Sequence, residues 1–151
     1  MDKYKDSPAV DSRKGARALG KMILQLRRLE RHPHTFAGAG TLTPSEIHTI
    51  EAIGCEGAIL MNELAARLEV TKGAVSQLVV RLEAKQLVER KTYPHDSRGV
   101  LISLTEKGKE AYTAHDEVHI RFYEELRSGL SEQEIEIFET FIEKLNEMLK
   151  R

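Results

Sequence analysis

The sequence predicts a mainly α-helical α+β fold with one small β-hairpin, and three observations lead to this prediction. First, apolar residues recur at three- and four-residue steps along most of the 151-residue chain, which is typical of amphipathic helices. Second, the one segment rich in strand formers is short and is divided by a turn at 94–99. Third, capping boxes at 43–46 and 131–134 mark the starts of two helices.

The composition is that of a folded protein with one domain. Hydrophobic residues make up 40% of the chain and charged residues 31%, which excludes collagen-like and low-complexity chains, and the length excludes a multidomain enzyme. No apolar stretch approaches the roughly 18 residues of a spanning helix, and the N-terminus lacks the apolar core of a signal peptide. We therefore expect a cytoplasmic protein with no membrane partner. The single cysteine, Cys55, excludes an intramolecular disulfide and a cysteine-rich zinc finger.

Charge is distributed unevenly along the chain, although the net charge is only −1. Residues 1–31 contain 9 basic and 4 acidic side chains, and residues 71–104 contain 6 and 3. The segments 32–70 and 105–151 are both acidic, with 1 basic against 5 acidic and 7 against 12. Because phosphates respond to the local field of a basic surface, this pattern leaves nucleic acid open as a partner.

The first element is a long amphipathic helix. Residues 1–10 are polar and aperiodic, and we expect a disordered tail there. From 12 to 31 basic residues alternate with an apolar stripe, which consists of Leu19, Met22, Ile23, Leu26 and Leu29. The His-Pro-His sequence at 32–34 ends the helix, and two glycines within 36–40 predict a loop. Residues 11–41 are thus an N-terminal helix and loop.

Residues 42–104 follow the order helix, short helix, short helix, hairpin. The first capping box opens the first of these helices. Residues 61–68 form a short helix, and Thr71 caps a second one after a tight turn. Strand formers at 87–93 and 100–104 complete a β-hairpin. This layout predicts a winged helix–turn–helix, in which the hairpin is the wing.

Ten residues on the second short helix and the hairpin are candidates for contact with double-stranded DNA. They combine cations that neutralise phosphates with polar groups that read base edges; they are Thr71, Lys72, Gly73, Ser76, Gln77, Arg81, Lys91, His95, Asp96 and Arg98. Gly73 lets the helix N-terminus approach the DNA backbone closely. An arginine at the hairpin tip suits the narrow, negative minor groove, and Asp96 is placed to hold the Arg98 guanidinium. The alternative is a solvated helix face and an ordinary turn.

Residues 105–151 are expected to form two long helices. Thr105 opens the first, which extends to about Leu126, and the second capping box opens the last helix. The last helix has a broad apolar stripe with phenylalanines, and together with the stripe of the first helix it leaves more apolar surface than one small domain covers. We therefore expect residues 11–41 and 105–151 to form the interface of a homodimer. The alternative is that these helices pack on the core of their own chain.

Residues 42–108 resemble the MarR family of winged helix–turn–helix regulators. The resemblance is carried by LTPSEIHTIEAIG and by MNELAARLEVTKGAVSQLVVRLEAKQLVERKTYPHDSRGVLISLTEKGKEA. Its most specific parts are Asp96-x-Arg98 and the LTEKG segment at 104–108. The resemblance implies a transcriptional regulator, expected to be a repressor, that forms an obligate homodimer and binds a pseudo-palindromic operator. It also implies that a small effector modulates the affinity for DNA.

Histidines form the second group of candidate residues. His115 and His119 stand one helical turn apart, so they point to the same side of their helix. Such a pair supplies two ligands to zinc or another divalent transition metal. His48 would be a third ligand, and Glu51, His34 or water would complete the site. DNA binding itself is expected to require no cofactor.

The family resemblance supports two interpretations of these histidines. Zinc-responsive MarR members carry ligands at the positions of His48, His115 and His119. Fatty-acid-synthesis repressors of the family, which sense acyl chains, are similar in the stretch IHTIEAIG and also keep the later histidine pair. In that case the effector is an acyl chain or another small organic ligand, and the histidines are structural. One departure from the zinc-responsive members is Ile47, which stands where they have an acidic residue.

Three other functions match parts of the sequence. Cys55 would be a redox sensor, although no adjacent cation explains a lowered pKa. A metal-dependent hydrolase would use His48, His115, His119 and Glu51, but the chain lacks an HExxH motif, a phosphate-binding loop and a nucleophile elbow. A protein-binding winged-helix module would use the same exposed cations without DNA.

Overall fold

The computed structural model describes residues 12–31 and 33–150, so the tail expected at 1–10 lies outside the described residues. The chain confirms the expected mainly helical fold with a β-hairpin wing. Its described elements are, in order, α1 (Ser12–Glu30), β1 (His34–Phe36), a 3₁₀ turn (Ala37–Ala39), β2 (Gly40–Leu42), α2 (Pro44–Ile53), β3 (Ile59–Leu60), α3 (Met61–Arg67), α4 (Lys72–Ala84), β4 (Val88–Thr92), β5 (Val100–Leu104), α5 (Glu106–Ser128) and α6 (Glu132–Leu149).

Helix α2 begins at the capping box that the sequence predicts. The backbone N–H of Thr43 donates to Glu46 Oε2 at 2.9 Å, and the N–H of Glu46 donates to Thr43 Oγ1 at 3.3 Å. Three isoleucines at positions 47, 50 and 53 point into the core, where each is at most 4% exposed. The helix ends at Gly54, whose φ of 76° lies in the left-handed region that favours glycine.

Helices α3 and α4 form the helix–turn–helix. The turn between them passes through Glu69, which has a φ of 54°, and the N–H of Val70 donates to the carbonyl of Ala65 at 3.0 Å. Thr71 then caps α4, because its Oγ1 accepts the N–H of Ala74 at 3.2 Å. These contacts fix the direction in which α4 leaves the turn.

The wing is part of an antiparallel sheet with the strand order β3-β5-β4. In β4–β5 the register pairs Val88 with Leu104 and Thr92 with Val100, as in the predicted hairpin. The third strand, β3, pairs Ile59 with Ile102 and was not predicted. A strand of two residues is too short to show a period-two pattern in the sequence.

The loop predicted at 36–40 is largely the turn of a second small hairpin, whose strands were not predicted. Strands β1 and β2 pair His34 with Leu42 and Phe36 with Gly40 around the 3₁₀ turn. The hairpin is fixed by tertiary burial, since Phe36 is 4% and Leu42 only 1% exposed. The glycines of this segment suggested a loop. The burial of two apolar side chains, Phe36 and Leu42, orders the strands instead.

The core lies between α2, α3, α4 and the three-stranded sheet, and helices α1 and α6 lie largely outside it. Every described side chain of α1 is exposed, and no described residue of α6 is buried. The uncovered large apolar side chains include Leu24, Leu29, Ile120, Phe122, Ile137, Phe141, Met148 and Leu149. Within the described chain, this disagrees with the alternative that the two terminal helices pack on their own core. None of the described helices is long and apolar enough to cross a membrane.

Candidate nucleic-acid interface

Helix α4 has one buried side and one solvent-facing side. Val75, Val79 and Leu82 are each 0% exposed, and they hold the helix against the core. The opposite side carries most of the side chains predicted to contact DNA: Lys72, Gly73, Gln77 and Arg81 are exposed, and Ser76 is half-buried. The helix therefore presents a polar and cationic surface that its own chain does not cover.

The N-terminus of α4 is open to an approaching anion. A Cβ added at Gly73 would meet only Thr71 Oγ1, at 3.9 Å. The first turn of α4 contains no acidic residue, so the partial positive charge of the helix N-terminus is not offset there. A DNA phosphate can approach these backbone N–H groups closely.

The tip of the β4–β5 hairpin is built to display one arginine. The backbone N–H of Arg98 donates to Asp96 Oδ1 at 2.9 Å, and Arg98 Nε donates to the same oxygen at 3.4 Å. The Arg98 side chain is nevertheless 91% exposed. Two backbone hydrogen bonds close the tip: the N–H of Tyr93 donates to the carbonyl of Gly99, and the N–H of Gly99 donates to the carbonyl of Asp96, each at 2.9 Å. The Tyr93 and His95 rings pack edge to face with their centroids 5.3 Å apart.

Two further basic residues of the hairpin have acidic partners. Lys91 Nζ lies 3.0 Å from Glu89 Oε1, and this contact lowers the pKa of the Glu89 carboxyl. Arg90 Nε lies 3.0 Å from Glu83 Oε2 and joins the hairpin to α4. Arg90 was not among the candidates predicted from the sequence. The sequence offered only one hint of this contact, an acidic residue near the end of α4 followed by a basic residue in the next strand. Both Lys91 and Arg98 thus have a carboxylate partner, and Arg98 is the more exposed of the two.

A buried carboxylate joins the base of α4 to α2. Glu46 is 3% exposed, and Lys85 Nζ donates to its Oε2 at 2.7 Å. The same ammonium donates to the carbonyl of Thr41 in β2 at 3.3 Å. Burial raises the pKa of Glu46, but hydrogen bonds from Lys85 and Thr43 outweigh it, so the pKa lies below its ordinary value. The sequence showed Glu46 only as part of a capping box, because its partner is 39 residues away.

The histidine pair of α5 meets one carboxylate of α2. Among the described residues, Glu51, His115 and His119 form a group in which one possible ligand atom from each lies within 4.8 Å of the others. The centroids of the two imidazole rings are 4.3 Å apart. His48 and His34 are both exposed and do not belong to this group. The structure therefore brings together three of the five residues that the sequence offered for a metal.

His115 is the least exposed member of this group, with a side chain that is 13% exposed. Its Nε2 is a buried nitrogen that lies 2.9 Å from Glu51 Oε1, and apart from this carboxylate it has no hydrogen-bond partner among the described residues. Phe36 closes one side with its ring 5.5 Å away. Burial lowers the pKa of His115, which the Glu51 carboxylate opposes and the nearby His119 reinforces. The neutral imidazole, which is the metal-binding form, is therefore favoured.

The segment that contains the helix–turn–helix and the hairpin matches a known protein family. A family model described as MarR family matches residues 41–99. The HTH-type transcriptional regulator MhqR of Bacillus subtilis (strain 168) is 30% identical over 110 residues, which cover 73% of this chain and 71% of that protein. The crystal structure of Streptococcus pneumoniae FabT in complex with DNA superposes with a TM-score of 0.79 at 26% identity, covering 93% of this chain and 98% of that one.

A further structural neighbour is Lactococcus lactis ZitR, described as a zinc-responsive MarR family member. It superposes with a TM-score of 0.65 at 22% identity and covers 91% of this chain and 98% of its own. At that identity the likeness establishes a shared fold alone. The three-residue group of α2 and α5 is the feature of this chain that bears on a metal.

Proposed function

This chain belongs to the MarR family of transcriptional regulators, and we propose that it is a homodimeric repressor that binds a pseudo-palindromic operator through α4 and the β4–β5 hairpin. The observation that carries the proposal is the pairing of an exposed, cationic α4 face with a hairpin tip that displays Arg98. The family consists of DNA-binding regulators, so the hydrolase hypothesis is dropped. As a repressor the protein acts in the cytoplasm, where its operator is.

Each part of the surface has a separate task in DNA binding. Helix α4 enters the major groove, with Lys72 and Arg81 near the phosphates and Gln77 near base edges. Arg98 enters the adjacent minor groove, where the negative potential is strongest when the groove is narrow. Asp96 holds the Arg98 guanidinium in place before DNA binds, which reduces the conformational entropy that the side chain loses on binding.

The dimer supplies the second half-site contact. The terminal helices α1 and α6 carry large apolar side chains that the described chain leaves exposed, and a second copy is the simplest cover for them. A two-fold symmetric pair places two α4 helices on one face, which matches a pseudo-palindromic operator. The alternative of a protein-binding module shares the exposed cations but requires no such symmetry.

The experiment begins with selection of an operator from random duplexes by the full chain, followed by affinity measurements over a range of salt concentrations. Arg98→Ala removes a minor-groove contact in both half-sites and is expected to weaken binding by about 30-fold. Arg81→Ala is expected to reduce the slope of log affinity against log salt by about 0.9 for each phosphate that the arginine neutralises. Lys150→Ala, at the end of α6, is the matched control and should bind as the unmodified chain does. Unchanged binding by both arginine variants would contradict the proposal and favour a protein-binding surface.

A second proposal concerns the effector that modulates DNA affinity. We propose that Glu51, His115 and His119 hold zinc or another divalent transition metal, with water as a further ligand. The buried His115 Nε2, which has no hydrogen-bond partner among the described residues apart from the Glu51 carboxylate, supports this, as does a donor set of two imidazoles and a carboxylate. The group lies between α2 of the winged domain and α5, so occupancy would bias the spacing of the two DNA-binding heads.

The metal proposal is tested on protein purified without a histidine tag or chelator. Elemental mass spectrometry is expected to find about one metal ion for each protomer, and chelation is expected to change operator affinity. His115→Ala should remove both effects, while Cys55→Ser, which alters a partly buried side chain outside the group, should keep them. If metal content and operator affinity are the same with and without His115, the histidines are structural, and an acyl chain or another small organic ligand becomes the expected effector.

A further inference from the structure

Val80 is an exposed valine in the middle of the α4 surface that faces solvent. It is 53% exposed, whereas the neighbouring valines of the same helix, Val75 and Val79, are 0% exposed. The sequence analysis counted only polar and cationic residues on this surface. A single exposed valine is common on protein surfaces, so the significance of Val80 comes from its position on the α4 surface.

Helical geometry places Val80 on the midline of that surface. At about 100° per residue, the buried side of α4 is centred on Val75, Val79 and Leu82. The opposite midline carries Gly73, Gln77, Val80 and Ala84, which are all exposed. No residue of this midline is charged. Arg81 lies on one side of it, and Lys72 lies on the other side together with Glu83, whose carboxylate is paired with Arg90. The arrangement is a narrow uncharged ridge, and neither side of it carries an unpaired carboxylate in the described chain.

This ridge suits the floor of a DNA major groove better than another macromolecular surface. The flanking cations match the two phosphate backbones that border the groove. The apolar group that the major groove exposes is the C5-methyl of thymine, whereas the other base edges offer hydrogen-bond donors and acceptors. Gln77, one turn before Val80, has the amide that pairs with adenine N6 and N7.

We propose that Val80 is a specificity-determining residue that contacts a thymine methyl group in each half-site of the operator. The inference rests on the proposed function, since it assigns a base contact within the same α4 surface. Val80 prefers thymine at the position it contacts because that base alone buries the valine methyl groups against carbon rather than against a polar edge. Ala84 and Gly73 on the same ridge are small enough to let the valine reach the base.

The test replaces thymine with uracil, which lacks only the methyl group, at one position at a time in the selected operator. For the unmodified chain we expect one thymine in each half-site whose replacement lowers affinity about fourfold, the effect of one methyl-sized apolar contact. Val80→Ala removes the contact in both half-sites, so it should bind the thymine operator about as weakly as the unmodified chain binds an operator with uracil at both positions, and it should not distinguish thymine from uracil. Val80→Thr keeps the branched shape and one methyl group, so it should retain part of the preference.

Val70→Ala is the matched control, because Val70 is also exposed (37%) but precedes the Thr71 cap and lies off the α4 ridge. It should keep the full thymine preference. If no replacement of thymine by uracil changes the affinity of the unmodified chain, or if Val80→Ala keeps the preference, the assignment is overturned while the proposed function stands. Failure of the chain to select any duplex overturns both.

Discussion

Gly108, in the first turn of α5, is the position where a single methyl group should do most damage to the fold. A Cβ at this position would lie 2.0 Å from the carbonyl oxygen of Leu87 and 3.0 Å from its carbonyl carbon. The same carbonyl accepts the N–H of Thr105 at 3.1 Å, and Thr105 Oγ1 donates to the carbonyl of Gln86 at 2.7 Å. Gly108→Ala must therefore separate the start of α5 from the entry to the wing.

The size of the effect follows from three contributions. Overpacking of a well-packed site costs about 1–3 kcal/mol, and loss of the two Thr105 hydrogen bonds costs about 1 kcal/mol each. The higher helix propensity of alanine returns up to about 1 kcal/mol. We therefore expect Gly108→Ala to lower the free energy of unfolding by about 2–4 kcal/mol. For a chain of this size that corresponds to a fall in Tm of roughly 5–15 °C.

The assay is urea denaturation followed by far-ultraviolet circular dichroism. Every variant is measured at the same protomer concentration, because the stability of the proposed dimer would depend on that concentration. Gly73→Ala is the matched control: its new Cβ meets only Thr71 Oγ1 at 3.9 Å, so it should unfold at the same or a higher urea concentration. The reasoning is refuted if Gly108→Ala is as stable as the unmodified chain, since the close approach of α5 to Leu87 would then carry no energy.

Three further predictions concern binding and pH. Gly73→Ala should weaken operator binding despite its preserved stability, because its methyl group stands between the α4 N-terminus and a phosphate; equal affinity in a filter or fluorescence assay would contradict the close approach. The lowered pKa of His115 means that folding favours its neutral form. The free energy of unfolding should therefore rise with pH in the range just below about 6.5. Urea titrations across this pH range should show that His115→Gln loses the rise. The lowered pKa of Glu46 means that its carboxylate stabilises the fold above about pH 4.5 and that this contribution disappears as pH falls through the folded pKa. Glu46→Gln should therefore be less stable at neutral pH and should lose less stability on acidification. An unchanged acid profile would show that the Lys85 contact is energetically neutral.

The sequence predicted most of the fold because its signals are local. The capping boxes at Thr43 and Ser131 and the cap at Thr71 lie within three residues of their partners, and all three appear in the structure. The Asp96–Arg98 contact was also predictable, since the two residues are separated by one position. Strand β3 and the hairpin of β1 and β2 were not predictable from local pattern, because each has strands of only two or three residues and depends on partners elsewhere.

The histidine cluster also combines a part that the sequence predicted with a part that only the packing of helices decided. Helical spacing alone placed His115 beside His119, but the sequence could not decide which residue of α2 faces them. His48 and Glu51 both lie on α2, one turn apart, and the packing of α2 against α5 brings the carboxylate to His115 and leaves His48 exposed. The two residues stand about 60° apart around the axis of α2. The burial of the isoleucine face, together with the Glu46–Lys85 contact, fixes which of them faces α5.

What the sequence by itself determined is therefore the order of helices, the helix–turn–helix, the wing and the uncharged or cationic character of the exposed side of α4. These depend on hydrophobic periodicity and on caps whose partners are near in the chain. Tertiary structure alone decided the pairing of Glu46 with Lys85, the approach of Gly108 to Leu87 and the approach of Glu51 to the α5 histidines. Each of these depends on the distance or angle between two elements, which is set by how their buried faces pack together and has no signature in the periodicity of either element alone.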